Sequence, residues 1–277
     1  MATTRNRAHA RTLLAAGGAA LVVFGVAGCG AADASDAPVE KRSFAFSGKT
    51  LTIDAENSAV RLVPADVTDV EVTRQVDGWV FFGNGPDARW KMSGSTLSLR
   101  LKCGAVISSC EARHQIKVPR GVAVTLRGDN GSVTASGFST ALTLGSSNGA
   151  VTVRDSSGPL DLDSGNGNVT AEGISARSVA MKSGNGSLSL RLTAVPATVE
   201  TRTDNGPIRI DLPRSARSAS SRGSAGSDTS GTSDTSYAVT ATSGNGKVQV
   251  DVPTDKNSAH RIAAHSDNGE IRVRTAN

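Results

Sequence analysis

Hydrophobic and polar residues alternate in short runs along most of the 277-residue chain, which is the pattern of β-strands with one buried face. Seven of these runs begin two residues after an Asn-Gly pair, as VTVR (151–154) does after Asn148-Gly149. Another alternating run precedes most of the pairs, as PLDLD (159–163) precedes Asn166-Gly167. One unit therefore consists of a strand, an Asn-Gly corner, a second strand and a turn of small residues.

The Asn-Gly pairs recur at nearly constant spacing, which predicts a repeat protein. From Asn130 to Asn268 the successive Asn residues are separated by 18, 18, 19, 20, 40 and 23 positions, and ENSAVRL (56–62) resembles a degenerate earlier unit. At each corner, Gly is expected to supply a positive φ angle, and the stacked Asn side chains are expected to hydrogen-bond along a ladder. The predicted corner residues are Asn130, Gly131, Asn148, Gly149, Asn166, Gly167, Asn185, Gly186, Asn205, Gly206, Asn245, Gly246, Asn268 and Gly269.

Two all-β architectures fit this repeat. In a parallel β-helix, or β-solenoid, each unit of about 18–20 residues forms one coil, and the Asn-Gly pair marks the corner between two sheets. In an antiparallel up-and-down sheet, each pair would instead form a type I′ hairpin turn. The solenoid is favoured because the corner recurs once per two strands rather than at every turn. A narrow aliphatic interior also agrees with the scarcity of aromatic residues, which are 6 Phe, 2 Trp and 1 Tyr.

Composition divides the chain into segments. Residues 1–28 are predicted to be a signal peptide, and residues 29–42 are predicted to be a flexible tether. The solenoid domain is expected to span residues 43–277, with irregular coils and a cap in its first part (43–118) and the Asn-Gly repeats in the remainder (119–277). Residues 214–236 lack an apolar period, so they predict a disordered insertion that accounts for the spacing of 40.

The N-terminus has the features of an export signal. Three arginines precede an uncharged apolar stretch of 16 residues (13–28), which is shorter than the ~20 residues of a spanning helix. The stretch ends in VAGC, which resembles a bacterial lipobox. That resemblance implies that Cys29 receives a lipid, becomes the new N-terminus and anchors the protein to the outer face of the cell membrane. The alternative is an ordinary secretory signal that is cut nearby.

Removal of residues 1–28 would lower the net charge of the protein. The whole chain has 30 basic and 25 acidic residues, and the signal removes three of the basic ones, so the net charge falls from +5 to +2. The mature region has no clustered basic tract beyond Lys41-Arg42. A nucleic-acid partner is therefore not supported.

Cys103 and Cys110 remain as an even pair once Cys29 is assigned to the lipid. In an exported protein such a pair predicts a disulfide, here across a short loop between two strand-like segments. Two free thiols or a metal pair are the alternatives, although a C-x6-C spacing is a poor zinc motif.

Four aromatic residues lie within twelve positions around a Gly-Asn-Gly-Pro turn: Trp79, Phe81, Phe82 and Trp90. They could form an exposed binding loop for sugar rings or for a partner surface. Alternatively, they form the end cap that a solenoid needs over its first coil, and this reading is favoured.

Candidate catalytic groups are sparse. The chain has four His residues, it lacks a G-x-S-x-G motif, and its glycines do not lead into a phosphate-binding helix. Asp161, Asp163 and Glu172 could form an acidic cluster as in polysaccharide-cleaving β-helices, but solvated strand acids are the favoured reading. Corner acids could bind Ca²⁺, although they do not match the calcium-binding nonapeptide; they are Asp129, Asp163, Asp204 and Asp267. No enzyme activity, cofactor or metal is predicted.

The segment HQIKVPRGVAVTLRGDNGSVTASG (114–137) and the units that follow it resemble the bacterial "putative adhesin" family of uncharacterised β-repeat domains. The resemblance covers residues 44–273 and is strongest over 114–212. It implies a β-solenoid on an exported or membrane-associated protein.

These features predict a lipid-anchored, non-catalytic module for surface interaction or envelope scaffolding. Its expected partners are the membrane, through the anchor, and an envelope glycan or a surface protein. The alternatives are a protein that binds or cleaves cell-envelope polysaccharide and an accessory component of envelope-stress sensing.

Overall fold

Two long β-sheets face each other in the computed structural model, which describes residues 34–80, 85–104, 108–214 and 235–276. A three-residue 3₁₀ turn, Ala34–Asp36, precedes the strands. The strands are β1 (Glu40–Phe44), β2 (Thr50–Ala55), β3 (Ser58–Ala65), β4 (Val70–Val80), β5 (Asp87–Ser93), β6 (Thr96–Lys102), β7 (Ser108–Pro119), β8 (Ala123–Gly128), β9 (Val133–Ser136), β10 (Leu142–Ser146), β11 (Val151–Arg154), β12 (Leu160–Ser164), β13 (Val169–Ile174), β14 (Ser178–Ser183), β15 (Leu188–Leu192), β16 (Thr198–Thr203), β17 (Ile208–Leu212), β18 (Ala238–Ser243), β19 (Val248–Asp251), β20 (Arg261–Ser266) and β21 (Ile271–Thr275).

Each coil contributes one strand to each sheet. The eleven-stranded sheet A has the order β1-β4-β7-β3-β9-β11-β13-β15-β17-β21-β19, and the ten-stranded sheet B has the order β18-β20-β16-β14-β12-β10-β8-β2-β6-β5. Strands of successive Asn-Gly repeats pair in parallel, with equivalent residues aligned, as Val151 is with Val133 and Val169. The predicted parallel β-solenoid is thus confirmed. The described antiparallel pairs lie at the N-terminal end: β1 with β4, β4 with β7, and β5 with β6.

The core is the space between the two sheets. The alternating aliphatic positions face inward, and Val151, Val153 and Leu162 are fully buried there. Burial of one such side chain stabilises the fold by ~1.5–3 kcal/mol. The same register along successive coils produces one continuous hydrophobic cluster from Phe44 to Val273.

At both ends of the solenoid, the spatial order of the coils departs from the chain order. The last coil in the sequence, β20–β21, is inserted between β16–β17 and β18–β19. At the other end, β2–β3 lies between β6–β7 and β8–β9. The long spacing between Asn205 and Asn245 therefore bridges two coils that are not spatial neighbours.

Additional strands cover the N-terminal end. β4 and β5 extend the sheets beyond β7 and β6, and β1 then pairs with β4. β1 begins at Glu40, three residues before the predicted start of the domain. The predicted signal peptide and most of the predicted insertion (214–236) lie outside the described residues. Within the described part of the chain, no helix is long and apolar enough to cross a membrane.

Candidate functional site

The corner residues form a continuous ladder along one edge of the solenoid. The Nδ2 group of Asn148 donates a hydrogen bond to Oδ1 of Asn130 at 2.8 Å, and Asn166 donates in turn to Asn148 at 2.7 Å. The remaining rungs link 185 to 166, 205 to 185, 268 to 205, 245 to 268 and 130 to 57. Asn57, from the degenerate unit, is thus the eighth member. Because every amide donates in the same direction, the bonds polarise one another along the edge.

A hydroxyl three residues before each Gly completes most corners. The Ser164 hydroxyl accepts a hydrogen bond from the Gly167 N–H at 2.8 Å and donates one to the Gly149 carbonyl of the preceding coil at 2.9 Å. The same donation to the neighbouring coil is made by Ser146, Ser183, Thr203, Ser243 and Ser266. This role of the hydroxyl was not predicted from the sequence, although the pattern Ser/Thr-x-Asn-Gly was its signal.

The corner glycines serve a different purpose from the predicted one. The described glycines with positive φ are Gly78, Gly94, Gly121, Gly137 and Gly173, and none of them belongs to an Asn-Gly corner. The prediction of a positive φ at the corners was therefore wrong. A Cβ atom on Gly167 would instead lie closer than 3.0 Å to the Gly149 carbonyl oxygen. Gly is required because adjacent coils approach through their backbones. The same close approach occurs at the other corner glycines, namely Gly131, Gly149, Gly186, Gly206, Gly246 and Gly269.

We expect Gly167→Ala to lower the free energy of unfolding by ~1–3 kcal/mol, because the added methyl group overpacks the stack. Gly85→Ala is the matched control, since a Cβ atom there meets no atom within 4 Å, and it should change stability by less than ~0.5 kcal/mol. Equilibrium denaturation measures both. Equal stability of the two variants would contradict the close-approach explanation.

Of the four aromatic residues singled out in the sequence, Trp90 packs into the N-terminal cap. Phe81 and Phe82 lie outside the described residues, and Trp79 belongs to β4. Trp90 in β5 is half-buried and packs against the core, with its ring edge-on to Phe44 at 6.3 Å between centroids. The guanidinium of Arg74 stacks over the Trp90 ring at 4.1 Å. The cap and the binding-loop readings remain predictions for the segment as a whole.

Arg74 joins the strands of the cap. It is 9% exposed, donates to the Ala88 carbonyl at 2.8 Å and forms an ion pair with Glu40 at 2.5 Å. β1, β4 and β5 are therefore connected through one side chain. Its cross-strand neighbour His114 is also buried and faces the interior, where its Nδ1 atom has no hydrogen-bond partner among the described residues. Burial, followed by the positive charge of Arg74, lowers the pKa of His114 from 6.5 to about 4.

His114 should make the cap sensitive to acid. The folded protein keeps this imidazole neutral, whereas the unfolded chain protonates it below pH ~6.5. The stability that depends on the neutral form of His114 is therefore fully present above that pH. As the pH falls to about 4, roughly 3 kcal/mol should be lost. His114→Leu should remove this part of the pH dependence, which denaturation at pH 7, 5.5 and 4 would measure. Parallel curves for the parent and the variant would refute the assignment.

Cys103 and Cys110 form a disulfide, as predicted. The bond lies between β6 and β7, at the position that the Asn-Gly pair occupies in the later coils. It borders a cleft of about 920 Å³, whose lining also includes Asn57 and Asn130 from the end of the ladder. The two lining carboxylates are engaged, since Glu56 pairs with Arg100 and Glu111 with Arg113, each at 2.7 Å. The cleft thus joins the last ladder amides to the disulfide.

The three acids considered for polysaccharide cleavage are not brought together. Asp161 and Asp163 lie on the outer face of sheet B, in β12. Glu172 lies in β13 of sheet A, where it pairs with Arg154 at 3.4 Å. Among the described residues, no group of three or more His, Cys, Asp or Glu side chains could hold a metal ion.

The outer face of sheet A carries side chains in regular rows. One row is made of hydroxyls aligned from coil to coil, namely Thr134, Thr152, Thr170 and Ser189, with Arg61 and Arg209 at its two ends. Adjacent strands are ~4.8 Å apart, so this hydroxyl row is about 14 Å long. Sheet B carries a similar row of Thr96, Thr52, Thr125 and Thr143. Both sheets therefore present repeated polar groups at one-coil spacing.

A second row on the outer face of sheet A alternates in charge from Arg191 through Asp211 to Arg274. Asp211 is its most buried member, with 5% of its side chain exposed. It accepts a hydrogen bond from Arg274 at 2.6 Å, and the guanidinium groups of Arg209 and Arg191 lie at 3.6 and 3.8 Å. Burial raises the pKa of Asp211, but the hydrogen bond from Arg274 and the charges of the three arginines outweigh it, so the net shift is downward.

The geometry defines a parallel β-solenoid of two-strand coils with Asn-Gly corners. The family model described as Toastrack DUF4097 matches residues 113–274, which is more than half of the chain. The chain therefore belongs to the Toastrack DUF4097 family, and the predicted membership of a family of uncharacterised β-repeat domains is confirmed. No curated protein matches the chain in sequence.

Two solved structures are similar over most of the chain. One is described as a "putative cell adhesion protein" from Clostridium sporogenes, at 12% identity and a TM-score of 0.38, with 86% of this chain and 99% of that chain covered. The other is described as a "putative adhesin" from Bacteroides fragilis, at 16% identity and a TM-score of 0.46, with 86% and 97% covered.

Proposed function

We propose that this protein is a lipid-anchored, non-catalytic module that binds a repeating polymer of the cell envelope on the outer side of the membrane. The observation that carries the proposal is the hydroxyl row on sheet A. Its four hydroxyl side chains recur at one-coil spacing on a surface held by continuous parallel pairing. A repeating surface suits a repeating partner, because several weak contacts form at once without further ordering of the protein.

The chemistry of the row favours a polyhydroxylated, anionic polymer. Hydroxyl groups donate and accept hydrogen bonds, which matches the hydroxyls of a glycan. Arg61 and Arg209 lie at the two ends of the row, and Arg272 continues it on β21. Arginine provides planar, paired donors for carboxylate or phosphate groups. Sheet B is the less suitable face, because its hydroxyl row is followed by Asp161.

Binding to purified cell-wall polymer tests the face. The double substitution Thr152→Glu and Thr170→Glu, on adjacent coils of sheet A, should weaken retention about tenfold, because the carboxylates remove the hydroxyl contacts and repel an anionic polymer. Thr125→Glu and Thr143→Glu, on adjacent coils of sheet B, form the matched control and should bind like the parent. Equal loss in both would reject the assignment to sheet A. Cleavage products in the same incubation would reject a non-catalytic role.

The anchor is tested separately through Cys29, which lies outside the described residues. Its support is the VAGC sequence at the end of the apolar stretch. Cys29→Ala should abolish incorporation of labelled palmitate, since the acceptor sulfur is lost. Cys103→Ala with Cys110→Ala is the control and should leave labelling intact. Persistent labelling of the Cys29 variant would reject the anchor.

A further inference from the structure

The C-terminal end of the solenoid has an open strand edge. β19 is the outermost strand of sheet A and pairs on one side with β21. Val248 and Val250 occupy the inward-facing register positions, yet they are 39% and 36% exposed. Ile271 and Val273, at the equivalent positions one strand further in, are fully buried. Within the described residues, two core positions and one strand edge are thus left open.

The backbone groups of β19 that have no strand partner in the described part of the chain can be identified. The Lys247 carbonyl accepts a hydrogen bond from the Ile271 N–H at 2.9 Å, so residues 247, 249 and 251 direct their backbone groups toward β21. The N–H and C=O groups of Val248 and Val250 therefore point away from the sheet. In sheet B, by contrast, the start of β18 is covered, because Tyr237 exchanges hydrogen bonds with Pro253 and Asp255. β19 is consequently the more accessible edge.

The opposite end of the solenoid is protected. Its edge strand β1 exposes Glu40, Lys41 and Arg42, and the edge strand β5 carries Asp87, Arg89 and Lys91. Charged side chains on an edge strand oppose the addition of another strand. Head-to-tail stacking of solenoids is therefore disfavoured. An association through β19 must pair two identical edges, which closes at a dimer.

We propose that β19 pairs antiparallel with β19 of a second copy across a two-fold axis at Gln249. The sequence of this edge, Lys-Val-Gln-Val-Asp (247–251), is self-complementary in this register. Val248 lies opposite Val250 of the second copy, and the outward-pointing backbone groups of both form the hydrogen bonds of the new pair. Lys247 lies opposite Asp251 of the second copy on the solvent face, so each dimer gains two ion pairs.

The same symmetry joins the two cores. A two-fold axis perpendicular to the sheet preserves its inner and outer faces, so the inward valines of each copy remain on the inner side. The exposed fractions of Val248 and Val250 are then covered by the same two residues of the second copy. Burial of these apolar surfaces supplies the driving force, and the charge pattern selects the register.

Cysteine cross-linking in the full-length chain tests the axis. Gln249 would face its own copy in a non-hydrogen-bonded pair, with Cα atoms ~4.5 Å apart, which is within disulfide range. Gln249→Cys should therefore give at least about ten times more disulfide-linked dimer than Arg272→Cys, whose copies would be ~14 Å apart. The parent chain controls for its native cysteines. Equal yields for the two variants, or an adduct of Gln249→Cys with a different protein, would overturn the proposal.

Charge exchange tests the register. Because the double variant should recover the dimer yield, the result does not depend on whether one single variant folds correctly. In the Gln249→Cys background, Lys247→Glu should lower the dimer yield about tenfold, because two attractive pairs become repulsive. Adding Asp251→Lys should restore the yield by reversing both partners. Lys182→Glu, an exposed charge on β14, is the matched control and should have no effect. A double variant that dimerises no better than the single one would overturn the proposed register.

Discussion

The close backbone approach of neighbouring coils at the Asn-Gly corners is the constraint on which the rest of the solenoid depends. Gly167 lies so near the Gly149 carbonyl that no Cβ atom fits between them. Once the backbones approach this closely, the Ser164 hydroxyl reaches both coils and the Asn amides fall into hydrogen-bond range. Each corner therefore fixes the height and the register of the two strands that leave it. The aliphatic rows inside and the hydroxyl rows outside follow from that register.

The ends of the solenoid require solutions that the repeat cannot provide, because a terminal coil has a neighbour on one side only. At the N-terminal end, the corner ladder stops at Asn57, and the Cys103–Cys110 disulfide takes the corner position of the next coil. Antiparallel strands then cover the core, and Arg74 connects them through Glu40, Ala88 and Trp90. At the C-terminal end, the last ladder residue is Asn245, and the neighbouring valines of β19 remain partly exposed.

The solenoid presents two kinds of surface, namely the flat faces of its sheets and the edge of β19 at its C-terminal end. The flat faces of the sheets carry repeated polar groups, which suit many weak contacts with an extended partner. The edge of β19 carries a short, self-complementary apolar strand, which suits one specific contact. The buried His114 belongs to neither surface, and its depressed pKa records the cost of charging a group inside the cap beside Arg74.

The amino-acid sequence alone determined the coil length, the buried face and the corner positions, because alternation and Asn-Gly spacing are local signals. It also indicated the Cys103–Cys110 disulfide and the early coil at Asn57. It misassigned the role of the corner glycines, since close approach between coils is not visible in one coil. Only the tertiary structure decided which coils are neighbours at the two ends. Parallel coils with similar rows of Val, Leu and Thr offer nearly equivalent edges, so the choice of β20–β21 as the neighbour of β16–β17 depends on long-range packing. For the same physical reason, the burial of Arg74 and His114 and the separation of Asp161 from Glu172 onto opposite sheets became apparent only in the folded chain.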